Sequence, residues 1–196
     1  MLLLPENVIE VGVDEAGRGV LYGSVVAAAV ILPHTYHPEY ENIKDSKKLS
    51  EKKREKVATF IKEHAIAYSI CEATAQEIDE INILNATYLA MHRALENITC
   101  DYDLIRVDGN RFKSFKDKKH ECVVGGDGKY LSIAAASILA KVHRDHLILE
   151  NVATNPELEK YDLKKNKGYG TPKHIEALKI YGAVEGHRMT FRPIAS

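Results

Sequence analysis

A short apolar run near the start of the chain, residues 9–13, is followed at once by two carboxylates and then by two glycines. Apolar side chains alternate along the run, and this period of two predicts a β-strand. Adjacent strand side chains point to opposite faces, so Asp14 and Glu15 converge only if the strand ends there. Gly17 and Gly19 permit such an end, because glycine adopts backbone angles closed to other residues and exposes its N–H group. The stretch predicts either the start of an active site or a charged turn after an edge strand.

The composition is that of an ordinary globular domain. The 196 residues are 45% hydrophobic and 28% charged, with 27 Lys and Arg against 28 Asp and Glu, so overall charge neither indicates nor excludes a nucleic-acid partner. The three cysteines lack any paired metal-ligand or redox spacing, which favours a reducing cytoplasm. No apolar run approaches the ~20 residues of a membrane span. We therefore expect an unexported cytoplasmic protein with no membrane partner.

The remaining pattern alternates strands with helices. Further strands are predicted at residues 22–32, 66–73, 103–107 and 122–124. Helices are predicted after the N-cap Ser50, along the apolar stripe Leu84, Tyr88, Met91, Leu95 and Ile98, over residues 132–140, and from Thr171 to a stop at Gly182. The order predicts an α/β fold with a mixed β-sheet flanked by helices.

Carboxylates recur where three of the predicted strands end. They are Asp14, Glu15, Asp108 and Asp127. If those strand ends are neighbours, the like charges raise one another's pKa unless cations compensate. All-oxygen ligands favour Mg²⁺ or Mn²⁺ over zinc, and two such ions about 4 Å apart can activate water and stabilise the leaving oxygen of a phosphodiester. The pattern therefore predicts hydrolysis of a nucleic-acid backbone.

Basic stretches at residues 44–56, 111–120 and 164–169 leave two interpretations open. Each is either a solvated face or a set of phosphate contacts that position a duplex without reading its sequence. Tyr169 either stacks on a sugar or base or covers a core edge. His187 and Arg188 either contact phosphate or end a surface helix.

Five segments, taken together, resemble the ribonuclease HII family of type 2 ribonucleases H. They read DEAGRG at residues 14–19, DSKKL at 45–49, DGN at 108–110, SIAAASILAKV at 132–142 and KGYGT at 167–171. The resemblance runs in the same order from about residue 11 to residue 193. No single segment is specific to this family, but the combination of all five is.

The resemblance implies a ribonuclease H-like fold in one catalytic domain over residues 1–196, with a C-terminal helical portion from about residue 145 onward. It implies cleavage of RNA in RNA/DNA hybrids and a cut on the 5′ side of a single ribonucleotide in duplex DNA. Two Mg²⁺ or Mn²⁺ ions are expected at turnover. These nucleic acids are the expected partners of a monomer that has no obligate protein partner.

The resemblance also assigns site residues. The catalytic and metal-binding carboxylates it implies are Asp14, Glu15, Asp108 and Asp127. The substrate-binding residues it implies are Gly17, Arg18 and Gly19, which sense the ribose 2′-hydroxyl, Tyr169, which packs on the adjoining sugar, and Lys47, which contacts phosphate. The chain departs from the family at Val20 and Ser24, where prolines are usual, and at Tyr22, where the family has a small residue.

Three rival interpretations remain at this point. The related ribonuclease HIII shares the carboxylates but has a different loop and an extra N-terminal domain. A non-catalytic binding module of the same fold is disfavoured because acids that repel phosphate are retained. A nuclease of the same fold acting on DNA junctions or on DNA alone is disfavoured by the Gly17–Gly19 loop.

Overall fold

A computed structural model describes residues 8–44 and 49–195 of the chain. Five strands form one sheet in the order β3-β2-β1-β4-β5. They are β1 (Glu10–Ala16), β2 (Val25–Ile31), β3 (Ala67–Ala73), β4 (Leu104–Asp108) and β5 (Lys119–Val123). Strand β2 is antiparallel to β1 and β3, whereas β1, β4 and β5 are parallel. The predicted mixed sheet is confirmed.

Helices cover both faces of this sheet. They are α1 (Tyr40–Lys44), α2 (Glu51–His64), α3 (Ala75–Glu96), α4 (Leu131–Thr154), α5 (Leu163–Asn166) and α6 (Pro172–Tyr181). Helix α3 closes the core on one face, and α4 with α1 and α2 closes it on the other. Because β2 is buried on both faces, its sequence is continuously apolar rather than alternating. None of the described helices is long and apolar enough to cross a membrane.

Helix α4 lies very close to β1, and Gly12 is the reason. A Cβ atom at Gly12 would lie 2.2 Å from the carbonyl carbon of Ser132 and 2.4 Å from the nitrogen of Ile133. The small side chains of residues 134–136, all fully buried alanines, complete the contact. The close approach matters for function, since α4 also carries side chains that reach the carboxyl end of β1.

Local capping signals are confirmed. The Ser50 side chain accepts a hydrogen bond from the backbone of Lys53 and begins α2. The Thr171 side chain accepts one from the backbone of His174 and begins α6, which ends at Gly182. These signals were readable because each cap bonds to residues only a few positions away.

Helix α3 differs from its prediction in two ways. It is interrupted at Asn82, which has φ 65°, and the Asn82 side chain accepts hydrogen bonds from the backbone of Leu84 and Asn85, so it caps the second half. Met91 is buried as predicted, whereas Leu84 and Tyr88 are half-buried, and all three line a cleft. Part of the predicted core stripe therefore forms a cleft wall.

The C-terminal elements form a small core of their own. The second half of α4 packs with a 3₁₀ segment (Pro156–Tyr161), α5 and α6 around buried Tyr161. Tyr22, at a position where the resemblance leads us to expect a small residue, fills this core through its ring. The boundary expected near residue 145 falls inside α4, so one continuous helix joins the sheet to the C-terminal elements.

Candidate active site

Asp14 and Asp108 extend from neighbouring parallel strands at the same edge of the sheet. The register pairs Val13 with Val107, and each aspartate is the next residue. Asp14 is 6% exposed, and burial is the largest cause of a pKa raised well above the usual range. The charges of Glu15 and Asp108 raise it further, in that order. The structure therefore brings three of the four predicted carboxylates into mutual repulsion.

The strand end that would let Asp14 and Glu15 converge lies beyond both residues, at Ala16. Pairing with β2 continues as far as Ala16, whereas pairing with β4 stops at Val13. Strand alternation is therefore kept at Asp14 and Glu15. Glu15 still interacts with Asp108, whose charge raises its pKa; burial is the largest cause of the rise, and Arg18 opposes it. The Arg18 Nη1 atom lies 3.2 Å from Glu15 Oε1.

Asp127 lies in a glycine turn beside the end of β4. It is buried in a short 3₁₀ turn (Gly126–Gly128) that follows β5. The backbone N–H of Gly126 donates a 2.7 Å hydrogen bond to Asp108 Oδ1, so this turn is tied directly to the end of β4. A Cβ at Gly126 would lie 2.6 Å from Ile133 Cδ1, so this turn packs closely against α4.

The donor set matches hard divalent cations. Across residues 8–44 and 49–195, no group of three or more His, Cys, Asp or Glu side chains is placed so that it could hold a metal ion in this conformation. Asp14 Oδ1 accepts the Glu15 N–H at 2.7 Å, and Glu15 itself contacts Arg18. The charges of Glu15 and Asp108 nevertheless raise the pKa of buried Asp14, a repulsion that Mg²⁺ or Mn²⁺ would relieve. Their chemistry therefore fits the expected ions.

Glu15 lies between two clefts. The first cleft, about 360 Å³, is lined by Glu15, Ala16, Gly17, Arg54, Ser137, Ile138, Lys141 and Tyr169. The second cleft, about 340 Å³, is lined by Glu15, Arg18, Leu84, Thr87, Tyr88, Met91, Asp108, Gly109, Asn110 and Arg111. The Gly17–Gly19 loop begins two residues after Glu15, and Gly17 lines the first cleft whereas Arg18 lines the second, so the loop forms a ridge between them.

Tyr169 faces the first cleft. It is 46% exposed, which excludes the interpretation that it covers a core edge. Its ring centroid lies 5.7 Å from Lys141 Nζ and 5.8 Å from the Arg144 guanidinium carbon. The His174 ring holds the backbone behind it, since Nδ1 is 3.0 Å from the Tyr169 carbonyl oxygen. The structure thus brings Tyr169 to the loop it was predicted to assist.

Some residues of the basic stretches lie where phosphate contacts are expected, and others belong to a solvated face. Arg54 lines the first cleft and Arg111 the second, as phosphate contacts would require. Lys164 pairs with Glu159 on the surface, as a solvated face would. Lys47 lies outside the described residues.

Both interpretations of Arg188 are wrong. It is fully buried, and its three guanidinium nitrogens donate to the carbonyls of Gly17, Arg18 and Gly23. His187 is buried as well, with its Nε2 3.1 Å from Nε2 of His174. No local pattern could have found these roles, because the loop partners of Arg188 lie 170 and 171 positions away.

Arg144 is a second buried arginine that sequence analysis missed. A Cβ at Gly17 would lie 2.9 Å from its Nε, and one at Gly168 would lie 2.9 Å from its Nη2. Both glycines also have positive φ, +90° and +81°, so both the backbone conformation and the close contact with Arg144 favour glycine at these positions. The Arg144 side chain therefore packs beneath both the Gly17–Gly19 loop and the turn that carries Tyr169.

Solved structures share this fold. Ribonuclease H2 from Pyrococcus horikoshii superposes with a TM-score of 0.76 at 27% identity over 95% of each chain. Ribonuclease HII of Archaeoglobus fulgidus, solved in a complex with PCNA, gives 0.75 at 23% identity over 94% of this chain and 96% of that one. A Bst ribonuclease HIII in complex with Mn²⁺ gives 0.67 at 19% identity, covering 96% of this chain and 68% of that one. The fold and the carboxylate site define a nuclease of the ribonuclease H fold.

Sequence comparison narrows the class to one family. The ribonuclease HII profile matches residues 11–193. A ribonuclease HII from Phocaeicola vulgatus is 50% identical over 193 residues, which cover 97% of this chain and 94% of that protein. The chain belongs to the ribonuclease HII family, which consists of type 2 ribonucleases H, hydrolases that degrade the RNA of RNA/DNA hybrids. The resemblance found in the sequence is thereby confirmed.

Proposed function

We propose that this enzyme cuts on the 5′ side of single ribonucleotides embedded in duplex DNA, in addition to degrading RNA in hybrids, and that it uses two Mg²⁺ or Mn²⁺ ions. One observation carries the metal requirement. Asp14, Glu15 and Asp108 are held in mutual repulsion at one sheet edge, and burial raises the pKa of Asp14 further. Unless a cation neutralises it, such a cluster of like charges destabilises the folded protein, so its presence indicates a functional metal site.

Four carboxylates would hold the ions: Asp14, Glu15, Asp108 and Asp127. Bound there, divalent cations supply Lewis-acid chemistry, which favours ionisation of the attacking water and stabilises the leaving oxygen of the phosphodiester. The chain's own groups orient the carboxylates. The Gly126 N–H fixes one oxygen of Asp108, and the Ser137 side chain bonds to Asp14.

Recognition of the ribose rests on the loop and on Tyr169. We propose that the Gly17–Gly19 loop contacts the 2′-hydroxyl, the group that distinguishes RNA from DNA. Tyr169 packs on the adjoining sugar with its exposed ring. Arg54 and Lys141 line the same cleft and would contact the phosphate backbone, as would Lys47. These contacts position the duplex so that the ribose meets the carboxylates.

The metal preference stays open between the two ions. Both accept the same oxygen ligands, and the ribonuclease HIII structure with Mn²⁺ describes that protein alone. Cleavage assays with each ion in turn measure the preference directly.

The deciding experiment uses an end-labelled DNA duplex that contains one ribonucleotide. It is incubated with Mg²⁺, with Mn²⁺ and with a chelator, beside an all-DNA duplex and an RNA/DNA hybrid. We expect a metal-dependent cut immediately 5′ of the ribonucleotide and an intact all-DNA duplex. Cleavage of the hybrid alone would contradict the single-ribonucleotide activity while leaving the metal site standing.

A further inference from the structure

We propose that Arg188 is a positioning residue for the Gly17–Gly19 loop, and that it sets the enzyme's preference for a ribose over a deoxyribose. The inference rests on the proposed contact between this loop and the 2′-hydroxyl. Arg188 does not reach the substrate itself, because its side chain is fully buried. It acts through the backbone of the loop.

The guanidinium group binds the loop with one nitrogen for each carbonyl. Nη2 donates to the Gly17 carbonyl at 2.6 Å, Nη1 to the Arg18 carbonyl at 2.8 Å and Nε to the Gly23 carbonyl at 2.9 Å. Two of these carbonyls belong to the loop and the third lies just beyond it. A planar guanidinium presents its donors at fixed angles, so the three bonds together fix the orientation of the peptide groups.

The orientation of these peptide groups determines which of their polar atoms face away from Arg188. In a trans peptide the C=O and N–H groups point in opposite directions, and the one cis peptide among the described residues is Arg192–Pro193. Since the Gly17 and Arg18 carbonyls point at the buried guanidinium, the N–H groups of Arg18 and Gly19 point away from it. Within the described part of the chain, neither N–H donates to a protein acceptor. Two successive free N–H groups suit an electron-rich oxygen of the substrate.

The Arg188 backbone is held as firmly as its side chain. Its N–H donates to the Leu21 carbonyl at 2.9 Å, and the Gly23 N–H donates to the Gly186 carbonyl at 2.8 Å. The Leu21 N–H donates in turn to the Gly168 carbonyl, next to Tyr169. The segment thus joins the loop to the turn that carries Tyr169.

The buried charge is consistent with this role. Burial is the main cause that lowers the pKa of Arg188 to about 9, and the nearby charge of Arg144 adds to it, while Asp79 opposes it. The guanidinium therefore remains protonated at neutral pH, and its three carbonyl partners are the acceptors that compensate its desolvation.

The test compares Arg188→Lys with the matched control Arg192→Lys, an exposed arginine of the same C-terminal segment. Binding is measured by fluorescence anisotropy in the presence of a chelator, which prevents cleavage. The two ligands are a DNA duplex containing one ribonucleotide and the same duplex made entirely of DNA. Lysine keeps the charge but loses the planar fork. We expect Arg188→Lys to lower the ribose preference about tenfold, as the loss of one or two substrate hydrogen bonds would, while affinity for the all-DNA duplex changes less than about twofold. Arg192→Lys should bind both duplexes like the parent.

A folded Arg188→Lys protein with an unchanged ribose preference would overturn the proposal. A second measurement needs no substitution: the amide resonances of Arg18 and Gly19 in the ¹⁵N-labelled parent should shift with the ribonucleotide duplex and not with the all-DNA duplex. Equal responses to both duplexes would also overturn it, even if Arg188→Lys fails to fold. A parent enzyme that neither cleaves nor prefers the ribonucleotide duplex would instead refute the proposed function.

Discussion

The charge of Asp108 raises the pKa of Asp14 across the gap between two parallel strands. The register that pairs Val13 with Val107 makes this proximity unavoidable, because each aspartate follows directly in its strand. A sheet built this way places acidic groups together before any substrate arrives. The same relationship leads to the first prediction.

Asp14→Asn should abolish metal-dependent cleavage, with a loss of at least about 10³-fold, because ligation of a divalent ion contributes several kcal/mol to the transition state. Asparagine has nearly the same shape but lacks the charge, so the free energy of unfolding without metal should rise at neutral pH. Cleavage rates and urea unfolding of both proteins measure the two effects. Normal turnover of the variant in saturating metal would remove Asp14 from the site.

Tyr169→Ala should reduce cleavage at a single embedded ribonucleotide more than cleavage of a long hybrid. Loss of one aromatic stacking contact is worth about 1–3 kcal/mol, so we expect a reduction of roughly tenfold or more on the first substrate. Tyr181→Ala is the matched control, since Tyr181 is similarly exposed but lines neither cleft. Equal losses on both substrates would deny Tyr169 its role at the junction.

Gly17→Ala should destabilise the protein by about 1–3 kcal/mol, because the residue has φ +90° and its Cβ would meet Arg144 Nε at 2.9 Å. Gly19→Ala is the natural comparison: no atom lies within 4 Å of its added Cβ, so its unfolding free energy should change by less than about 0.5 kcal/mol. Thermal or chemical unfolding separates the two. Equal destabilisation would show that Arg144 does not restrict the loop.

Acid should destabilise the protein through His187. Burial lowers its pKa from 6.5 to about 4, and the neighbouring His174 contributes in the same direction. Between these values the unfolded chain binds more protons than the folded one, so stability falls as pH drops from 6.5 to 4, by on the order of 2–3 kcal/mol. His187→Gln should flatten this part of the stability curve, as measured by urea unfolding across pH. An unchanged slope would assign the acid sensitivity to other groups.

Local features of the fold were predictable because their causes are local. The caps at Ser50 and Thr171 bond to residues three positions away, and the apolar run of β2 reflects burial on both faces. Asp14, Glu15 and Asp108 were also singled out from the sequence, since acidic residues beside glycines at strand ends form a recognisable pattern. Parallel pairing of β1 with β4 then brought Asp14 to Asp108.

Other features were decided by tertiary structure alone. Strand β1 continues through Glu15 because β2 still pairs with it there, and Leu84 and Tyr88 line a cleft although they belong to the apolar stripe of α3. No pattern of neighbouring residues records either fact.

The family and the α/β architecture were predictable from the sequence, since they follow from periodicity, capping and motifs within short segments. The way the Gly17–Gly19 loop is held depends on the folded structure. Arg188 reaches it from 171 positions away, and its burial reverses the surface role that a basic residue suggests. Contacts of that separation form when distant segments pack together, so the physical reason for them lies in the folded chain rather than in any local stretch of sequence.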